Sequence, residues 1–373
     1  MPTTSLPVLL YHYVSNHADS IAVSPARFEA HCRAMRKAGY TGISLDQAVE
    51  HLARGASLPA KSALITFDDG YLDNYAYAWP ILRTYGHSAA IFAATSKLEA
   101  AGPLRPTSGD LCGGVCKPDE FPRVDHPFQP GALGLPERKD LFLNWSEAKR
   151  LEDAGIAVAA HTSRHISVFK GPTFKGERSL FKPEPRTRAF DRIDAPILFG
   201  LPRFETQPLQ CGPAFLVSEE LLDLARRRVP QNPLDAVEFF RDPAKEADLW
   251  RAIDAIPVAR WGALEREDEH RRRLYDELKA CRDALALHLG HADAPRRQAL
   301  AWPWGKFSPA ALELGRELGF RVFFATSFGA NPPGACEAVH RFKARDKSGA
   351  WLLSRLFVYS RPWLARLYAA VRL

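Results

Sequence analysis

Two adjacent aspartates, Asp68 and Asp69, close the apolar run in "ALITFDDGY" (63–71). Ninety residues on, "IAVAAHTSRH" (156–165) ends in two histidines, His161 and His165. Like charges side by side are costly unless something uses both. A four-residue spacing lets two imidazoles face one way on a helical turn. Two imidazoles and one carboxylate make a three-ligand set with open positions, the layout of a catalytic Zn²⁺ or Fe²⁺ centre. The second aspartate is then free to take a proton from water. A bound cation would also offset the repulsion between the two carboxylates.

These residues need elements that bring them together. "LPVLLYHYVS" (6–15), "ALITF" (63–67), "SAAIFAAT" (88–95), "IAVAAH" (156–161), "QALAWPWG" (298–305) and "RVFFATSFG" (321–329) read as buried strands, the fifth with a turn. Between them lie helical patterns with caps and stops. "SPARFEAHCRAMRKAGY" (24–40) begins with Ser24 and Pro25, and "SLDQAVEHLARG" (44–55) stops at Gly55. "YAYAWPILRTYG", "WSEAKRLEDAG", "EREDEHRRRLYDELKACRDALALHLG" and "SPAALELGRELGF" continue the rhythm. Alternation of this kind predicts an α/β fold with a parallel sheet or barrel. In such folds ligands bind at the carboxyl ends of strands, where Asp68, Asp69, His161 and His165 all fall. Residues 99–144 read as a long irregular loop, and 166–262 as a stretch without steady period.

The chain has 373 residues, a net charge of +7, 46% hydrophobic and 25% charged residues. That is an ordinary folded composition, and the positive balance favours anionic partners. No nucleic-acid-binding pattern is present, so nucleic acid is not an expected partner. No apolar run reaches ~18 residues, and the start "MPTTSLPVLLYHYVSN" does not look like an export signal, which reads as a cytoplasmic protein. The six cysteines are scattered. Cys112 and Cys116 are the one close pair, read as two thiols in a Gly-rich loop. The mixed-sign run "EREDEHRRR" reads as a solvated helix face.

"TFDDGYLDNY" followed by "HTSRH" resembles the polysaccharide deacetylase (NodB-homology) family of carbohydrate esterases. "LPVLLYHYVS", "SPARFEAHCRAMRKAGY", "LNWSEAKRLEDAG" and "AWPWGKFSPAALELGRELGF" match the same framework, closest to the branch whose third motif reads Tyr-Pro-Tyr-Gly. The resemblance implies an irregular (β/α) barrel of about seven strands. It implies a metal-dependent hydrolase that removes an N-acetyl or other N-acyl group from an amino sugar of a glycan. Asp68 matches the catalytic base, and Asp69, His161 and His165 match the metal ligands, with Zn²⁺ the expected ion and Co²⁺, Fe²⁺ or Ni²⁺ alternatives. Trp302, Pro303, Trp304, Gly305 and Tyr71 match the substrate groove, the Trp304 N–H being the oxyanion donor. Ala301 stands where many members have an arginine that holds the base. For the general acid, His340 in "EAVHRFKARD" and His12 at the end of the first strand are the two candidates.

The barrel is therefore expected in two parts, 1–165 and 263–350, with 166–262 inserted as a lid or subdomain. The tail 351–373 has four arginines and no acid, with Trp351, Phe357 and Trp363 beside them. It reads either as an amphipathic contact with a membrane surface or as a terminal helix docked on the barrel. With such a tail, a lipid-linked glycan precursor is the expected carrier. The alternatives are a deacylase of another amide or ester, as in xylan esterases, and a catalytically silent glycan-binding protein.

Overall fold

The computed structural model describes residues 5–17, 19–125, 128–129, 138–183, 187–188, 193–290 and 292–372. It divides into two compact units. The first comprises Met1–His126, Lys139–His165 and Asp276–Leu373, and the second Pro127–Arg138 and Ile166–Tyr275.

The first unit is built on a parallel sheet of eight strands. They are β1 (Val8–Tyr11), β2 (Thr41–Gly42), β3 (Ser62–Asp69), β4 (Ala89–Ala93), β5 (Ile156–Ala160), β6 (Ala299–Ala301), β7 (Val322–Phe324) and β8 (Phe342–Lys343). Seven run in the order β7-β6-β5-β4-β3-β1-β8, and β2 pairs with β3 at one end. A bridge from Phe324 to Val339 draws β7 toward the approach to β8, so the sheet curls into a half-barrel. Inward residues alternate with outward ones, as the pleat requires. Val8, Leu64, Ala90, Phe92, Ala157, Ala159, Ala301, Val322, Phe324 and Val339 fill the interior. Small alanines in β5 and β6 leave room for Phe92 and Phe324, whose rings meet at 4.9 Å.

Helices flank the strands where the caps predict them. Ser44 and Gln47 form a reciprocal capping box at Leu45–Arg54, and Gly55 closes that helix in the left-handed region. Asn144 and Glu147 do the same at Trp145–Asp153. "YAYAWPILRTYG" is not one regular helix. It opens as a π-turn over Asn74–Ala78 and becomes α-helical at Trp79–Tyr85, because Pro80 has no N–H to give the preceding turn. Within the stretch read as a loop, Ser108–Cys112 forms a short helix.

The second unit has its own core, in which Phe169, Phe199, Phe204, Phe215 and Trp261 gather around Leu221 and Leu249. It carries three helices, Glu219–Arg228, Pro233–Phe240 and Pro243–Asp254, that the sequence reading did not resolve. Each is a capped helix of about two to three turns, too short for a steady apolar period to stand out.

The tail is two helices with different fates. Gly349–Tyr359 docks against Pro25–Lys37, burying Leu352, Leu356 and Tyr359. A Cβ at Gly349 would meet Ala34 Cβ at 2.7 Å, so only glycine permits this approach. Pro362–Arg372 buries Ala365 but leaves Trp363, Leu367 and Val371 exposed. Among the described residues, no helix is long and apolar enough to cross a membrane.

This division gives a stability test. Leu356→Ala should cost about 2–5 kcal/mol in urea unfolding, the usual range for a fully buried leucine. Leu367→Ser should change stability by less than about 0.5 kcal/mol.

Candidate active site

Alternation along β3 would put Asp68 and Asp69 on opposite faces of the sheet. The structure breaks that alternation. Asp68 continues the inward set, while Asp69 turns into the left-handed region (φ 77°), followed by Gly70 (φ 81°). Both carboxylates thereby reach one point. His161 Nε2 lies 3.4 Å from Asp69 Oδ1 and 3.9 Å from Asp68 Oδ2. Gly70 is required here, because a Cβ would strike that of Ala93 at 2.9 Å.

The histidines do not share a helical turn, as their spacing suggested. "HTSRH" is a bend in which Thr162 (φ 62°) and His165 (φ 50°) are both left-handed. Local bonds hold it. The His165 N–H donates to Thr162 Oγ1 at 3.2 Å. Glu277, buried on the helix Glu267–Leu289, accepts from the Arg164 N–H and from its Nε at 2.8 Å. His165 then stands with its ring 4.9 Å from that of His161 and its Nε2 3.6 Å from Asp69 Oδ1.

Asp69, His161 and His165 are the described residues whose ligand atoms converge in this way, all within 4.8 Å of one another and all buried. Three observations fit a divalent cation. Asp69 Oδ1 is buried with no donor in hydrogen-bond geometry. His161 gives its Nδ1–H to the Ala301 carbonyl at 2.7 Å, which leaves the Nε2 lone pair facing Asp69. The field favours positive charge at that nitrogen: burial opposes a proton on His161, yet Asp68 and Asp69 outweigh it and raise its pKa. His165 is the neutral partner, pushed down to about 3 chiefly by burial. Burial also opposes the charge on Asp69, but His161 and His165 overcome it and hold its carboxyl low.

Asp68 has a separate partner. Arg341, fully buried, clasps it with two parallel bonds, Nη1 to Oδ1 at 2.6 Å and Nη2 to Oδ2 at 2.8 Å. Its Nε donates to the Ala325 carbonyl at 2.9 Å. Burial would push the Asp68 carboxyl up; Arg341, helped by His161, holds it below its usual value. The result is a carboxylate kept charged and aimed beside the three-ligand set.

His12 completes the group. It follows β1, within electrostatic reach of Asp69, Asp68, Arg341 and His161, and its own carbonyl accepts from Asn74 Nδ2 at 2.9 Å. Burial is the largest influence on its pKa and lowers it.

Comparison with known proteins agrees with this geometry. Residues 55–184 match the sequence model of the polysaccharide deacetylase family. The segment that holds Asp68, Asp69, His161 and His165 is therefore similar to a polysaccharide deacetylase domain. The Bacillus subtilis (strain 168) protein YxkH, which carries a polysaccharide deacetylase name, is 41% identical over 87 residues. That match spans 23% of this chain and 31% of the relative, so the chain matches about a third of that protein's length. The fold is similar to that of a de-N-acetylase from Aggregatibacter actinomycetemcomitans (TM-score 0.58, 16% identity, 94% of this chain and 99% of that one). It is also similar to the BpsB deacetylase domain from Bordetella bronchiseptica (TM-score 0.56, 16% identity, 92% and 96%). At such identities the likeness is one of fold.

Around this set the other expected site residues scatter. Trp304 (φ 54°) is at the site, half-exposed and with its ring 4.2 Å from that of His165. Gly305 follows it because a Cβ there would collide with Thr326 at 2.3 Å. Trp302 and Pro303 are buried instead, Trp302 stacked between Phe307 and Phe323. Tyr71 is also buried, stacked on Tyr13 at 4.0 Å and on Phe142 at 5.2 Å, so it braces the loop rather than lining a groove. His340 points away from the aspartates and meets Ser327 Oγ through Nδ1 at 2.8 Å.

Arg341 and Glu277 escaped the sequence reading. Arg341 lies in "EAVHRFKARD", one residue from His340; Glu277 lies in the same helix as the run "EREDEHRRR", four residues beyond the part read as a solvated face. The available signal for Arg341 was an arginine two residues from apolar Val339 on a strand, since a buried arginine needs a carboxylate.

Arg341→Met should therefore leave a buried charge unpaired. With chelator present, urea unfolding at neutral pH should show a loss of about 3–5 kcal/mol. In the native protein the depressed Asp68 contributes stability that is present above the unfolded pKa of about 3.9 and is lost as pH falls through its lower folded value. The cost of the substitution should accordingly shrink as pH drops below about 4. A penalty independent of pH would show that Arg341 acts through packing alone.

Proposed function

We propose that the protein is a metal-dependent N-deacetylase acting on an amino-sugar glycan. The observation that carries this reading is the division of labour at the aspartates. Asp69 joins two imidazoles in a ligand set, while Asp68 is excluded from it and kept charged by Arg341. A protein that only bound glycan would have no use for a buried, oriented base.

Asp69, His161 and His165 would hold the ion, Zn²⁺ being the best match to two nitrogens and one oxygen. When bound it would supply Lewis acidity toward the amide carbonyl and toward water. The chain's own residues do the rest. Asp68 takes a proton from the attacking water, and Arg341 keeps it ionised and aimed. The Trp304 N–H is assigned to the developing oxyanion. The proton that Asp68 takes is passed to the leaving nitrogen through His12 as the C–N bond breaks, yielding free amine and carboxylate. His12 is preferred to His340 because it lies within electrostatic reach of both aspartates.

Metal analysis and acetate release test these roles together. Wild-type protein should take up one Zn²⁺ per chain after reconstitution, and His161→Ala should lose it. Asp68→Asn and His12→Gln should keep the ion while deacetylation falls by about 10²–10⁴-fold. Loss of metal in Asp68→Asn, with retention in Asp69→Asn, would reverse the assignment.

We further place the enzyme at a membrane surface, working on a lipid-carried glycan. Trp363, Leu367 and Val371 are 66%, 58% and 78% exposed and recur every four residues, which lines them along one helix face. Phe357 is exposed as well, with the Arg361 guanidinium 3.7 Å from its ring centroid, and Arg366 is exposed too. Residues 347–373 contain no Asp or Glu. Apolar side chains flanked by arginines suit an anionic interface, where each arginine contributes about 1 kcal/mol. Full-length protein should float with anionic liposomes at low salt and detach at high salt. The Trp363→Ser/Leu367→Ser variant should stay in the dense fraction while remaining folded. Flotation of that variant like wild type would refute the assignment.

A further inference from the structure

Lys343 stands where the interior of the curled sheet opens. It ends β8 and pairs in register with Leu10 of β1. Its neighbours fix its direction. Phe342 faces outward, stacked on Tyr359 with centroids 4.7 Å apart. Val339 and Arg341 face inward, the first in the apolar interior and the second on Asp68. Alternation sends Lys343 to the same inward side, one pleat beyond Arg341 toward the carboxyl end of the strand. Its ammonium there is in electrostatic contact with Asp68 and Arg341.

This lysine is exposed, and no carboxylate pairs with it among the described residues. The cations around it are engaged: Arg341 holds Asp68, and Arg345 donates to the Ser20 carbonyl. Arg345 and Arg341 set positive charge beside this ammonium, and Asp68, whose two oxygens already accept from Arg341, offsets it only in part. Its ammonium is therefore free to meet an anionic group that enters the mouth of the sheet.

We propose that Lys343 binds an anionic oxygen group, phosphate or carboxylate, on the amide-bearing sugar, so that the substrate is an acidic amino-sugar glycan. The inference takes the sugar and the amide from the deacetylase reading and adds the acidic group. The overall charge of +7 draws such ligands toward the protein.

Calorimetry on the Zn²⁺-loaded full chain tests it with three sugars. N-acetylglucosamine 1-phosphate is the phosphate arm, N-acetylmuramic acid the carboxylate arm, and the neutral methyl glycoside of N-acetylglucosamine the reference. At least one acidic sugar should bind about fivefold tighter than the neutral one, a modest gain suited to an exposed ion pair. Lys343→Gln should abolish the preference without changing the neutral affinity, and Lys343→Glu should invert it. Thermal melting should show both variants folded, since the residue is exposed. Equal wild-type affinities, a preference that survives in Lys343→Gln, or no binding by any of the three would overturn the proposal. Acetate release in the same samples judges the deacetylase reading separately. An acidic preference dependent on Lys343, with no acetate from any sugar, would support the anion site and refute the hydrolase. Acetate release without preference would do the reverse.

Discussion

The site depends on one constraint: two sequence-adjacent carboxylates must be buried, charged and aimed at one point. A regular strand opposes this twice. Its pleat sends neighbours to opposite faces, and burial favours protonating one carboxyl of a close pair. The left-handed turn at Asp69 solves the first problem. Separate cationic partners solve the second: Arg341 takes Asp68, while Asp69 is left to two imidazoles. Because the partners are separate, the two aspartates can have separate chemistry.

That solution has a conformational cost, which the surroundings offset. Five non-glycine residues have positive φ among those described, and four of them, Asp69, Thr162, His165 and Trp304, are at the site. Each such residue costs on the order of 1 kcal/mol or more. The fold holds them by over-determination. Thr162 and Glu277 pin the histidine bend, the Ala301 carbonyl fixes the His161 tautomer, and Gly70 and Gly305 allow close approach where a side chain would collide. Arg341 does the same on a larger scale. It joins Asp68 of β3 to the Ala325 carbonyl beyond β7 from a position leading into β8, so the curling of the sheet and the ionisation of Asp68 share one side chain.

Much of this was legible in the sequence, for identifiable reasons. The four residues that meet at the site were visible because Asp68, Asp69, His161 and His165 fall at the ends of apolar runs, and polar residues there have few structural explanations. Helices with explicit caps, such as Leu45–Arg54 with Ser44 and Gly55, were legible because local bonds decide their ends. Tertiary features were not. The bend in "HTSRH" depends on Glu277, more than a hundred residues away, and spacing alone favoured a helical turn. Burial of Trp302 and Tyr71 depends on which aromatics pack behind them, which no local pattern states. The tail showed both docked and exposed character because it is two helices, the first buried against Pro25–Lys37 and the second with Trp363, Leu367 and Val371 exposed.

The general acid shows where sequence reasoning had more to give. His340 and His12 are both histidines near strand ends, and residue type does not separate them. Strand parity does. Val339 lies inside, so Arg341 must lie inside and His340 outside. Val8 lies inside and Tyr11 packs outward on Phe28 and Phe67, so a side chain at position 12 continues the inward set. The period of two that identified these segments as strands also orders the two histidines, once a single residue of each strand is assigned to the core. The same parity places Lys343 inward with Arg341. It thus sets three cationic or titratable groups, His12, Arg341 and Lys343, along the mouth of one sheet, on or beside two strands that pair in register.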